Sequence, residues 1–168
     1  MKGVIARKVD PRGVRQANRA MDSLRKIVRA LRVGNTRAEV SHGISSAQLF
    51  ALRAIDAEPG GSLRDLAART LTSQSTVSEV AARLEEKGLI TRALASADHR
   101  RVELRVSGEG RRLLEKSPAT VQEGLAAGFL SLTPAQRTEL AGGLEAWIVA
   151  AELSDVSPGM FFEDRKED

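Results

Sequence analysis

The chain has 168 residues, 42% of them hydrophobic and 29% charged, with a net charge of +4 and no cysteine. These figures suit one soluble globular domain and exclude disulfides, thiolate metal sites and cysteine-based redox sensing. Aromatic residues make up only 3% and tyrosine is absent, so helices packed through Leu, Val, Ile and Ala are expected. No apolar run approaches the roughly 18 residues of a membrane span. The N-terminus lacks the apolar stretch and small-residue site of a signal peptide. A cytoplasmic location with no membrane partner is therefore expected.

Charge is uneven. Residues 1–32 hold ten Lys or Arg against Asp10 and Asp22, whereas residues 151–168 hold six acids against Arg165 and Lys166. A basic N-terminal region favours a polyanion, and double-stranded DNA is the natural candidate. The competing reading is a solvated helix face beside a frayed tail.

Residues 1–10 lack periodicity and read as a flexible basic tail. From Val14 the apolar positions Val14, Ala17, Met21, Leu24, Val28 and Leu31 alternate steps of three and four, a heptad seam widened by Ile27. Gly34 is expected to end this helix. Such a stripe suits packing on the chain's own C-terminal helices, on a second copy, or both, and a homodimer that does both is the reading adopted. Ser45 and Gln48 then form a capping-box pattern for another helix, with Ile44 and Leu49 as a staple and Leu49, Leu52 and Ile55 facing a core. The run Glu58-Pro59-Gly60-Gly61 is a turn.

Ser62 and Asp65 cap a short helix, and Leu71-Thr72 leaves only a tight turn before the next. Ser73 caps that second helix. Val77, Val80, Ala81 and Leu84 give its apolar stripe, and Gly88 sits where it stops in a left-handed turn. Its opposite face starts with a short, polar turn that can approach base edges. Two helices so joined form a helix-turn-helix. Residues 89–94 and 102–106 read as strands, the second alternating apolar and charged residues, with the basic segment 95–101 between them. The architecture is mainly α with a small β-hairpin: a winged helix-turn-helix. Ser107 opens a further helix that Pro118 breaks or kinks near Lys116. Thr133-Pro134-Ala135-Gln136 starts another, with Leu140, Leu144, Trp147, Ile148 and Ala151 as its stripe. Met160, Phe161 and Phe162 in the acidic tail either pack or stay free.

The run LEEKGLITRALASADHRRVELRVSGEG resembles the MarR family of bacterial transcription regulators. The matching residues are Leu84, Glu85 and Gly88 at the end of the recognition helix, Asp98 and Arg100 in the wing, and Val106, Ser107 and Gly110 at the next helix. Val106-Ser107 replaces the family's Leu-Thr. The resemblance implies flanking N- and C-terminal dimerisation helices around a DNA-binding lobe. Here these are residues 11–33 and 107–153 around residues 44–106. It also implies, for some members, a small-molecule effector bound between lobe and dimerisation helices.

The reading that follows is a homodimeric, sequence-specific DNA-binding regulator. Base contacts fall to Ser73, Gln74, Ser75, Thr76, Ser78 and Arg83. Wing contacts fall to Asp98, Arg100 and Arg101. Dimer contacts fall to Val14, Ala17, Met21, Leu24, Val28, Leu31, Leu144, Trp147 and Ile148. The alternative is a winged helix used for protein–protein contact without specific DNA binding. No enzyme, cofactor or metal is expected. His42 and His99 lie far apart, no serine, histidine and acid form an assignable triad, and Gly108-Glu109-Gly110 falls short of a phosphate loop.

Overall fold

A computed structural model describes residues 10–94 and 102–161. Its elements are α1 (Pro11–His42), α2 (Ser46–Ala57), α3 (Leu63–Thr70), α4 (Gln74–Glu86), β1 (Ile90–Leu94), β2 (Val102–Val106), α5 (Gly108–Lys116), α6 (Val121–Ser131) and α7 (Pro134–Ala150). The fold is mainly helical with a small antiparallel sheet.

Local chemistry starts nearly every helix. Asp10, Ser45, Ser62, Ser73, Ser107, Thr120 and Thr133 each accept a backbone N–H from the first turn of the helix that follows. Such a side chain satisfies one of the donors a helix start leaves unpaired. At Ser62, Thr120 and Thr133 the capping box is reciprocal.

The core lies where α2, α4 and the sheet meet. Leu52, Val77, Val80 and Leu84 are fully buried, and Leu104 and Ile90 close the sheet side. Strand β1 pairs with β2 in the register Ile90↔Val106 through Leu94↔Val102. Gly60 N donates to Leu104 O (2.9 Å) and Leu104 N to Gly61 O (3.0 Å), so the turn before α3 lays a short third rung beside β2.

Four expectations change. Helix α1 does not stop at Gly34; it runs to His42 and ends at Gly43, whose φ is 67°. Gly34 serves packing instead, since a Cβ there would lie 3.1 Å from Val121 Cγ2 where α1 passes α6. Leu31, placed on the dimer seam, is only 2% exposed and belongs to the protomer's interior. The stripe of α7 does not face its own chain, because α7 has no buried residue. Met160 packs into the core, whereas Phe161 is exposed. Pro118 does break the helix: α5 ends at Lys116 and Thr120 caps α6 anew.

Candidate nucleic-acid interface

The turn Leu71–Ser73 sets the angle between α3 and α4. Leu71 takes a left-handed conformation (φ 53°), and Thr72 N donates to Ala67 O (3.1 Å). A β-free, short-looped turn would suit glycine here, yet Leu71 is held, so packing on both sides fixes the bend. Helix α4 then buries Thr76, Val77, Val80, Ala81 and Leu84 against the core.

What remains outward is the first turn. Ser73, Gln74 and Ser75 are exposed, and Ser78 is half-buried. Ser73 Oγ accepts from Thr76 N (3.2 Å) and lies 2.9 Å from Ser75 Oγ and 2.8 Å from Thr76 Oγ1. No acidic residue stands in this first turn. The unpaired N–H groups and the positive end of the helix dipole therefore face outward without a competing carboxylate. Thr76 departs from the expected base-reading set: it is only 6% exposed, and its hydroxyl engages Ser73. Arg83 is half-buried in the last turn of α4, two helical turns from Gln74.

The rest of the motif holds this helix in place. Glu85 pairs with Arg92 of β1 (2.9 Å), which ties the end of α4 to the hairpin. Gly88 is left-handed (φ 68°), letting the chain turn straight into β1. Ser107 Oγ accepts from Gly110 N (3.0 Å) and donates to Gly88 O (2.7 Å), so one hydroxyl caps α5 and anchors the turn after α4. At Gly110 a Cβ would lie 2.3 Å from Leu89 O and 2.7 Å from Val106 Cγ1. Only glycine lets α5 approach the sheet this closely.

Sequence reasoning missed three ties. Arg53 donates to the carbonyls of Ser117 and Pro118 and lies 3.6 Å from Glu123, clamping α2 to the α5–α6 junction. Arg69 reaches Ala54 O (3.0 Å) and pairs with Glu58, holding α3 on α2. Lys87 Nζ donates to Gly43 O (3.1 Å) at the end of α1. Each is a single basic residue within or beside an amphipathic helix, a pattern shared by any solvated face, so spacing offers no signal for it.

Wing residues Asp98, Arg100 and Arg101, and His99 with them, lie outside the described residues. Of the dimer set, Val14, Met21, Leu24 and Val28 on α1 and Leu144, Trp147 and Ile148 on α7 are 36–48% exposed. Ala17 is exposed too. Among the described residues no three His, Asp or Glu side chains converge to hold a metal ion. No described helix is long and apolar enough to cross a membrane.

A cavity of about 610 Å³ lies between the two regions. Ile27 of α1, Phe50 of α2, Leu71 in the turn before α4, Phe129 of α6 and Leu140 of α7 contribute walls from five parts of the chain.

Residues 42–101 match the sequence model of the MarR family. The transcriptional regulator BldR from Sulfolobus solfataricus is similar in structure at 25% identity (TM-score 0.53), the match covering 82% of this chain and 97% of that one. Bordetella bronchiseptica BpsR, whose DNA binding is regulated by 6-hydroxynicotinic acid, matches at 24% identity and a TM-score of 0.52, over 77% of this chain and 98% of that one. Streptococcus pneumoniae FabT, solved in complex with DNA, matches at 18% identity and a TM-score of 0.51, over 83% and 97%. A search of proteins with curated function finds no match.

Proposed function

Since residues 42–101 make this chain a winged-helix protein of the MarR family, we propose that it is a transcription regulator that binds a specific DNA site as a homodimer and responds to a small molecule. The observation that carries the reading is the first turn of α4: exposed, polar, free of acid and rigidly backed by the core. Helix α4 enters the major groove with Gln74 and Ser75 toward base edges, and Ser78 beside them. Ser73 is committed to capping, so its share is smaller. Arg83, at the far end of the helix, contacts the backbone or a base farther along. Arg100 of the segment joining β1 and β2 tracks the minor groove, with Asp98 and Arg101 flanking it.

The partner copy covers the apolar faces of α1 and α7, which the protomer leaves open. A twofold pair presents two recognition helices to a palindromic site, with half-sites about one helical turn apart. Inserting half a turn between half-sites is expected to abolish tight binding, measured by fluorescence anisotropy on paired duplexes; unchanged affinity would refute the geometry.

Gln74→Ala is expected to cost about 1–3 kcal/mol on the preferred site and to relax the base preference at one position. Binding to a panel of single-base variants checks this. Equal weakening on every duplex would remove Gln74 from base reading. Selection of bound sequences from a random DNA pool tests the function as a whole. Recovery of no enriched sequence would favour a winged helix that contacts protein instead.

The cavity supports the ligand-responsive part of the reading. It touches the turn before the recognition helix and, through Ile27 and Leu140, the helices assigned to the dimer. A molecule favouring one lobe arrangement would shift the population toward it.

A further inference from the structure

The chain turns sharply after α7. Leu153 N donates to Ile148 O (3.1 Å) and Glu152 N to Val149 O (3.1 Å), while Glu152 itself is left-handed with φ 58°. This is a Schellman end with glutamate where glycine is usual. It sends the following residues back along the protomer instead of outward. They return to a defined place. Met160 is 8% exposed within the core cluster, and Gln122, itself 5% exposed on α6, donates from Nε2 to Phe161 O (3.2 Å). Gly159, Met160 and Phe161 form one wall of the 610 Å³ cavity, opposite Thr70, Leu71 and Thr72.

A tail segment is ordinarily the first part of a domain to fray. This one instead places an unbranched, adaptable side chain in an apolar space, which is the use methionine suits best. The hold is light: one apolar side chain and one hydrogen bond, on a segment with little other burial. Every residue bordering the cavity is uncharged; its polar groups are Thr70, Thr72 and Gln122.

We propose that residues 152–161 form a strap that closes this cavity from within the chain, and that a neutral, elongated apolar molecule enters by displacing Met160. The strap is a built-in competitor. It lowers apparent ligand affinity by the fraction of time it is seated. Its release also frees Gln122 and the wall facing Leu71, so occupancy is felt at the turn that aims α4. The proposal deepens the ligand-responsive part of the proposed function and rests on it only for the effect on DNA.

The test uses the neutral fluorophore N-phenyl-1-naphthylamine with the full chain, its Met160→Ser variant and a chain ending at Leu153, without DNA. Both variants are expected to bind the probe about tenfold more tightly than the unaltered chain, as for a strap seated about nine-tenths of the time. Unchanged or weaker binding by Met160→Ser, or no binding by any form, overturns the proposal, because Met160 would then be a wall and not a competitor. Circular dichroism shows whether the shortened chain is folded; if it is not, Met160→Ser alone decides. Tighter probe binding with DNA affinity insensitive to the probe would uphold the strap and refute the ligand-responsive reading.

Discussion

Ile148→Glu is expected to turn the protein into a monomer and to weaken binding to its palindromic site by at least about a hundredfold, the scale of avidity lost when two linked sites act singly. Ile148 is 45% exposed on α7, a helix with no buried residue in its own protomer. Around it lie Leu144, Trp147 and Leu153, all between 38% and 48% exposed. Helix α1 adds Val14, Met21, Leu24 and Val28. Contiguous apolar faces of this kind are uncommon on monomers and mark interaction surfaces. A glutamate in the middle of the covered face would be a charge buried without a partner. In the isolated protomer the same position reaches water, so helicity and the α2–α4 core should persist. Sedimentation velocity at micromolar concentration checks the first half, and anisotropy on the palindromic and a half-site duplex checks the second. A dimer that survives Ile148→Glu, and also the matching Leu24→Glu on α1, would assign these faces to something other than a second copy.

Gly110→Ala is expected to destabilise the fold by about 2 kcal/mol. Overpacking a filled site costs about 1–3 kcal/mol, and replacing a helical glycine by alanine returns up to about 1 kcal/mol. The contact that decides the sign is with backbone: the added Cβ would meet Leu89 O at 2.3 Å, and a carbonyl in the turn between α4 and β1 cannot rotate away. The strain therefore moves α5 off the sheet and loosens the Ser107 hydroxyl from Gly88 O. Gly108 is the control. A Cβ there meets nothing within 4 Å, so Gly108→Ala should leave stability unchanged or slightly raised. Urea titration of both variants separates them. Equal midpoints would show that α5 does not need this close approach. Because α5 backs the hairpin, Gly110→Ala should also weaken DNA binding more than its stability loss alone predicts.

The family motif has a physical reading once these contacts are seen. Leu84 fills the core, Glu85 pairs with Arg92, Gly88 makes the left-handed turn, Ser107 caps, and Gly110 permits contact. None of these five reads a base. They hold the recognition helix and hairpin in fixed relation, while the polar first turn of α4 is left to vary with the DNA site.

What the sequence determined by itself is everything that depends on neighbours three or four residues away. The caps at Ser45, Ser62, Ser73, Ser107 and Thr133, the break at Pro118 and the left-handed Gly88 are set by side chains reaching their own backbone or by a ring that cannot donate, and no distant partner alters them. The period of Val77, Val80, Ala81 and Leu84 likewise named the buried face of α4. Tertiary structure decided what each face meets. Gly34 reads as a helix end in one dimension, but Val121 crosses it, and a packing glycine continues the helix to His42. Leu31 and Leu24 are equivalent in a heptad count; only the approach of the rest of the chain buries one and leaves the other open. Thr76 and Ser75 are neighbours of similar chemistry, and rotation of α4 on its core puts one inside and the other outside. The seat of Met160 has no sequence signal, because it depends on where a left-handed Glu152 aims the tail and on the space that α2 and α6 leave between them.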